Sequence, residues 1–110
     1  MQEHFQVEVS TGAKHVMLTL HGELDLSSSS ALEDELHRVD GVPLVVVDLR
    51  DLAFLDSTGL GVLVKAHQRL QDEGNQLALI EGEGQVSRLL SLTGLDDQLM
   101  IVRSPDELPS

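Results

Sequence analysis

The 110 residues contain no cysteine, which excludes disulfide frameworks and thiolate metal centres. Aromatic side chains are almost as scarce: Phe5 and Phe54 stand alone, without tryptophan or tyrosine. That argues against platforms that stack bases and against the aromatic faces that grip sugars. Basic residues number seven against nineteen acidic ones, for a formal net charge of −12. Nucleic-acid binding by phosphate neutralisation needs a basic footprint, and none is visible. Anionic membrane surfaces are disfavoured by the same charge, whose commonest role is to keep a small domain soluble. No apolar run approaches the roughly 20 residues that cross a bilayer. Met1 to Ser10 carries neither the basic start nor the apolar core of an export signal, so a soluble cytoplasmic protein is expected.

What is present reads as one α/β domain. A chain of this length can bury roughly two-thirds of its surface on folding, enough for one core and too little for two. Phe5, Val7 and Val9 alternate with polar residues, as do Val16, Leu18 and Leu20, and Ser10-Thr11-Gly12-Ala13 lies between them. Period two on both sides of a turn predicts an N-terminal β-hairpin with one half-buried face. After Asp25 the run Ser27 to Ser30 leads into Leu32, Leu36 and Val39, whose spacing predicts a helix capped by one of the serines. Leu44 to Val47 is a continuous apolar run, the mark of a strand covered on both faces. A second helix follows Asp56, with Leu60, Leu63, Val64 and Leu70 on one stripe and an end near Gly74. Leu77 to Ile80 predicts a buried strand, and Val86, Leu89 and Leu90 a third helix stopped by Gly94. Leu99 to Val102 predicts the last strand, with at most one helical turn in Arg103 to Ser110. Strand–helix–strand repetition implies parallel pairing, so the expected sheet is mixed, of about five strands, with three to four helices. The whole chain, 1–110, forms one domain, with an ordered core expected over about residues 4–104.

The chemically suggestive segment lies where the central strand hands over to the second helix, Val47 to Gly61. In open α/β sheets, sites form at the carboxyl ends of strands and at the helix starts beyond them. Asp56, Ser57 and Thr58 all qualify as caps, and capping needs only one of them. Gly59 and Gly61 fall in the first helical turns, where each costs about 1 kcal/mol against alanine. They suggest that another backbone or a ligand comes close, although tight packing on the sheet accounts for them equally well.

Asp56-Ser57-Thr58-Gly59-Leu60-Gly61-Val62-Leu63, together with Gly22-Glu23-Leu24-Asp25, resembles the bacterial anti-sigma factor antagonists, small proteins of the STAS-domain family. The resemblance extends through the valine-rich strand to Leu92-Thr93-Gly94-Leu95 and covers nearly the whole chain. It implies phosphorylation at the first hydroxyl after the aspartate, which maps to Ser57. Thr58 in place of a second serine is common in the family. The resemblance further implies a partner that is both anti-sigma factor and ATP-dependent serine kinase, and a separate serine phosphatase. The unphosphorylated antagonist would bind the anti-sigma factor and free the sigma factor. Asp25, Asp56, Ser57, Thr58, Gly59 and Val62 form the expected contact set, in which Asp25 and Asp56 are close neighbours.

The physics agrees with such a switch. Ser57 at a helix start presents its hydroxyl outward, and glycine two residues on leaves room for a nucleotide-bound kinase. A phosphate there adds about −1.5 to −2 charges at the positive end of the helix dipole, where the fold tolerates it. The switch then acts at the interface, because a bulky charged group in a close contact is costly to desolvate. Asp25 and Asp56 would add like-charge repulsion or orient the serine; as a turn-former and a cap they also have ordinary structural roles.

Other constellations carry less. His15 and His21 stand six residues apart on one strand face, about 20 Å, too far to share a metal. His67 falls between Val64 and Leu70 and reads as a packed or half-exposed side chain rather than a ligand. Asp48 ends a buried strand as the phospho-accepting aspartate of a receiver domain does, but Val9-Ser10-Thr11 lacks the acidic pair that would hold magnesium. Ser57 is not in a Gly-x-Ser-x-Gly elbow, and no histidine is placed as its base. No catalytic residue, cofactor or metal is therefore expected, and the domain is expected as a monomer or weak dimer. The alternative reading is an unswitched STAS scaffold in a stress-sensing or transporter-associated complex. A chain without a sensor segment favours the antagonist.

Overall fold

A computed structural model describes residues 4–39, 41–94 and 99–108. Strands β1 (Gln6–Thr11) and β2 (His15–Leu24) form the antiparallel N-terminal hairpin. The Gly12 N–H donates to the His15 carbonyl at 2.8 Å across its turn. Helix α1 (Ser29–Arg38), strand β3 (Leu44–Asp48), strand β4 (Leu52–Leu55), helix α2 (Ser57–Asp72), strand β5 (Gln76–Ile80), helix α3 (Gln85–Leu92) and strand β6 (Met100–Val102) come next, then a 3₁₀ turn at Pro105–Glu107.

The sheet is mixed and six-stranded, in the order β1-β2-β3-β5-β6, with β4 added beside β2. Pairing is parallel from β2 to β3, from β3 to β5 and from β5 to β6, the outcome expected of helical crossovers. All three helices pack on one face. Leu32 and Leu36 of α1, Leu60, Leu63 and Leu70 of α2, and Val86 and Leu90 of α3 share a core with Leu18, Leu20, Val45, Val47, Leu77 and Leu79. The other face carries a smaller cluster of Leu44, Val46, Ala78 and Ile80, onto which Met17, Met100 and Leu108 pack. Every residue of β3 is buried, as its continuous apolar run predicts.

Strand β4 is the element the pattern of the sequence did not suggest. Leu52 and Leu55 are buried while Ala53 and Phe54 are exposed, a spacing of three in only four residues rather than period two. Its position is set by the turn before it. The Asp48 carboxylate accepts from the Arg50 backbone N–H at 3.0 Å and is gripped by the Arg50 guanidinium through Nε at 3.0 Å and Nη2 at 2.8 Å. The chain leaves the line of β3 at this turn and extends the parallel partner of β2, pairing Gly22 with Leu52 and Leu24 with Leu55. The other edge of β4 is closed by Gln85, whose side chain accepts from the Leu55 N–H at 3.1 Å and donates to the Leu55 carbonyl at 2.8 Å.

Three local expectations are corrected. The inner stripe of α2 runs through Val62 and Ala66 as well as Leu60, Leu63 and Leu70, while Val64 is only half-buried. Val9 lies at 51 % exposure, because β1 is an edge strand that the helices do not cover there. Ser28 occupies the position before α1, yet its side chain makes no cap bond to the helix; it bonds backward instead, to the Glu23 carbonyl of β2 and the Asp25 N–H. Helices α2 and α3 do end just before Gly74 and Gly94, both at positive φ. Leu95, the last residue of the Leu92-Thr93-Gly94-Leu95 segment, lies outside the described residues.

Candidate functional site

Two parallel neighbours, β2 and β4, end side by side, and the site is built from the turns beyond their ends. The Leu24 carbonyl at the end of β2 accepts from the Asp56 N–H at 3.1 Å, which joins the two exits. Gly22 makes this possible on the β2 side. Its φ of +88° disfavours any side chain, and a Cβ there would collide with the His4 carbonyl. The sheet register also shifts between Gly22 and Glu23, so the strand bends as it leaves β3 for β4.

On the β2 side, residues 25–28 form a tightly bonded turn. The Asp25 carboxylate accepts from the Ser27 N–H at 3.0 Å and from the Ser27 hydroxyl at 2.7 Å. The Ser28 hydroxyl donates to the Glu23 carbonyl at 2.7 Å and accepts from the Asp25 N–H at 2.9 Å. The Ser27 hydroxyl, ahead of the weaker opposing effect of burial and with help from the Ser27 N–H and from Ser28, holds the Asp25 carboxyl below the usual carboxylate range. Asp25 is therefore an ionised turn-former, and it projects Leu26, 76 % exposed, from the apex.

On the β4 side, helix α2 begins at Ser57, within the first residues of the cap-rich segment as the sequence predicts. Of the three cap candidates the structure uses Asp56, whose carboxylate accepts from the Gly59 N–H at 2.9 Å. Ser57 is released from capping and is exposed at the first helical position; Thr58 is half-buried.

The two glycines of this turn have different surroundings. A Cβ at Gly59 would lie 2.6 Å from Leu24 Cγ and 3.0 Å from the Leu24 carbonyl oxygen. Gly59 therefore lets α2 sit against the end of β2, and the expectation that it leaves room for a partner is corrected. Gly61 has nothing within 4 Å of such a Cβ, so the open glycine is the one a full turn beyond Ser57. Val62 is buried at 9 % exposure and borders a shallow depression between α1 and α2 with Glu33, Leu36 and Lys65.

Of the six predicted contact residues, Asp25 follows the end of β2 and Asp56, Ser57 and Thr58 follow the adjoining end of β4, with Ser57 exposed and the other three half-buried, while Gly59 and Val62 are buried. Sequence reasoning missed Leu26, whose only signal was an apolar residue between the turn-former and the serine run. It also missed Gln85, which carries no motif. His15 and His21 lie on β2 facing away from the helices, where His21 Nε2 stands 3.0 Å from Glu8 Oε1. Among the described residues, no group of three or more histidines and carboxylates is placed to hold a metal, and no helix is long and apolar enough to cross a membrane.

Comparison with known proteins gives a consistent result. The STAS domain family model matches residues 4–108. The anti-sigma-B factor antagonist of Staphylococcus aureus is 30 % identical over 100 residues, spanning 89 % of this chain and 93 % of that protein. The anti-sigma-B factor antagonist of Listeria monocytogenes is 29 % identical over 96 residues, spanning 86 % and 84 % respectively. The crystal structure of an anti-sigma factor antagonist from Mycobacterium paratuberculosis superposes with a TM-score of 0.85 at 27 % identity, covering 94 % of this chain and 90 % of that one. With the hairpin, the parallel crossovers and the serine at the start of the second helix already in place, the match over almost the full length shows that this chain belongs to the STAS-domain family.

Proposed function

We propose that this protein is an anti-sigma factor antagonist whose binding surface is switched by phosphorylation of Ser57. The observation that carries the reading is the exposed Ser57 at the first position of α2, with its neighbour Asp56 taking the capping role. It is supported by relatives named anti-sigma-B factor antagonists at 30 % and 29 % identity. In this reading a cytoplasmic serine kinase that is also the anti-sigma factor docks on the Asp25–Ser57 edge. Such a kinase transfers the γ-phosphoryl group of ATP to the Ser57 oxygen, which loses its proton as ADP leaves, and a phosphatase reverses the change.

The geometry favours a switch that spares the fold. A phosphate on Ser57 sits at the positive end of the α2 dipole, beside backbone N–H groups that are not yet bonded within the helix. The same group stands among Asp25 and Asp56, so any partner close to this edge meets added bulk and a concentrated negative charge. Binding is lost because those charges must be desolvated in the contact. Incubation with the cognate kinase and ATP, followed by mass-spectrometric mapping, is expected to find one phosphate, on Ser57 and not on Thr58. Phosphate on Thr58 alone, or none with a kinase that binds the chain, would contradict the proposal.

A further inference from the structure

We infer that the apolar anchor of this docking surface is Leu26, with Gly61 as the flat place where the partner's chain lies against α2. The inference rests on the antagonist reading above and extends it to residues that the serine motif does not explain.

Four large apolar side chains are exposed among the described residues: Val9, Leu26, Phe54 and Leu92. Two of them flank the Ser57 edge. Phe54 is paired in register with Glu23, immediately before the two exits, and Leu26 crowns the turn immediately after β2. Leu26 is not a loose side chain on a floppy loop. The backbone on either side of it is fixed by the Asp25 carboxylate and the Ser28 hydroxyl, and the Ser28 and Ser29 N–H groups donate to the Asp25 carbonyl at 3.1 and 2.9 Å. An apolar group held out in one position loses little backbone freedom on binding, which is what an interface anchor requires.

Gly61 supplies the second, independent observation. It lies inside α2 with an ordinary helical φ, and open space surrounds the position a Cβ would take. Nothing within the domain needs glycine there, and glycine weakens a helix interior relative to alanine. A bare patch of helix one turn from Ser57 fits a partner backbone that crosses closely.

Charge identifies the occupant. Glu23 and Asp25 border the turn that carries Leu26, Asp56 is bonded through its N–H to the Leu24 carbonyl at the start of that turn, and the chain as a whole is at −12. A second copy would set acid against acid, and an anionic lipid surface would be repelled. The fitting partner is a folded protein with an apolar pocket for Leu26, bordered by lysine or arginine side chains.

The test uses the full chain and the purified serine kinase that phosphorylates it, with affinities measured by titration calorimetry at low and high salt. Leu26→Ser is expected to bind ten- to a hundredfold more weakly, and Leu26→Met to restore binding. Leu92→Ser removes an equally exposed leucine from the far end of α3 and is expected to bind as wild type. Gly61→Ala is expected to melt higher yet bind at least several-fold more weakly, a combination that a purely structural role would not produce. Wild-type affinity is expected to fall as salt rises. Tight wild-type binding with Leu26→Ser unchanged would overturn the inference and leave the antagonist reading standing. A wild-type chain that binds no such kinase would overturn both.

Discussion

Replacing Gly59 and Gly61 by alanine, one at a time, tests the packing of the site against a shared baseline. Both glycines lie in α2, so each substitution gains about 1 kcal/mol from helix propensity. At Gly61 nothing opposes that gain, since the new methyl group meets no atom within 4 Å. Gly61→Ala should therefore stabilise the domain by about 1 kcal/mol, raising the melting midpoint by about 4 °C for a chain of this size. At Gly59 the methyl carbon would stand 2.6 Å from Leu24 Cγ and 3.0 Å from the Leu24 carbonyl oxygen. Leu24 is fully buried and its carbonyl is bonded to Asp56, so neither can simply swing away. Overpacking of this kind costs about 1–3 kcal/mol, which cancels or exceeds the propensity gain. The two variants should differ by about 1–3 kcal/mol, or roughly 4–12 °C, with Gly59→Ala always the less stable. Urea unfolding followed by far-ultraviolet circular dichroism measures the difference. Equal stabilisation of both variants would refute the claim that Gly59 is fixed by contact with β2.

Three further outcomes test the supports of the site. Asp56→Ala should cost about 1 kcal/mol through loss of the α2 cap, and Asp56→Asn should recover most of it, by the same unfolding assay. Gln85→Ala should cost about 1–3 kcal/mol, because it leaves the Leu55 N–H and carbonyl without the bonds that close β4, with faster amide exchange at Leu55 as the readout. Asp48 gives a pH dependence. Burial alone would raise its carboxyl, but the Arg50 side-chain and backbone hydrogen bonds, with the charges of Arg50 and His21, outweigh burial and hold it below the usual range. A lowered folded-state value means that its stabilisation is complete above the unfolded value near 4 and is lost as pH falls through the folded one. Asp48→Asn should accordingly be less stable than wild type at pH 7, with the gap closing below about pH 4 in acid unfolding curves.

Most of the frame was legible because it depends on periodicity. Alternation in Val16 to Leu20, the unbroken run Leu44 to Val47 and the leucines of α2 each marked a buried face, and glycines marked the helix ends. What escaped was set by contacts between distant residues. Strand β4 owes its place to the Asp48–Arg50 turn and the Gln85 side chain, and four residues with a spacing of three leave no pattern to read. The serine run showed that a turn and a helix start were near, but not that Ser28 would bond backward to Glu23 rather than forward into α1. In the same way, the sequence offered three caps and two equivalent glycines around the start of α2. Only the approach of Leu24 tells Gly59 from Gly61, and only the Asp56–Gly59 bond leaves Ser57 exposed without a capping duty.

The central claim, that a charge on Ser57 acts at the interface and not on the fold, is tested most directly by titrating wild type, Ser57→Ala and Ser57→Asp against the cognate kinase, with a melting curve for each. Ser57→Ala should bind within about tenfold of wild type, since one exposed hydroxyl contributes at most about 1 kcal/mol. Ser57→Asp should bind about ten- to a hundredfold more weakly, a loss of about 1–3 kcal/mol from a charge left in the contact. Its melting midpoint should stay near wild type, because a negative charge at a helix start is not destabilising. Wild-type affinity in Ser57→Asp, or weak binding that merely accompanies unfolding, would contradict the account.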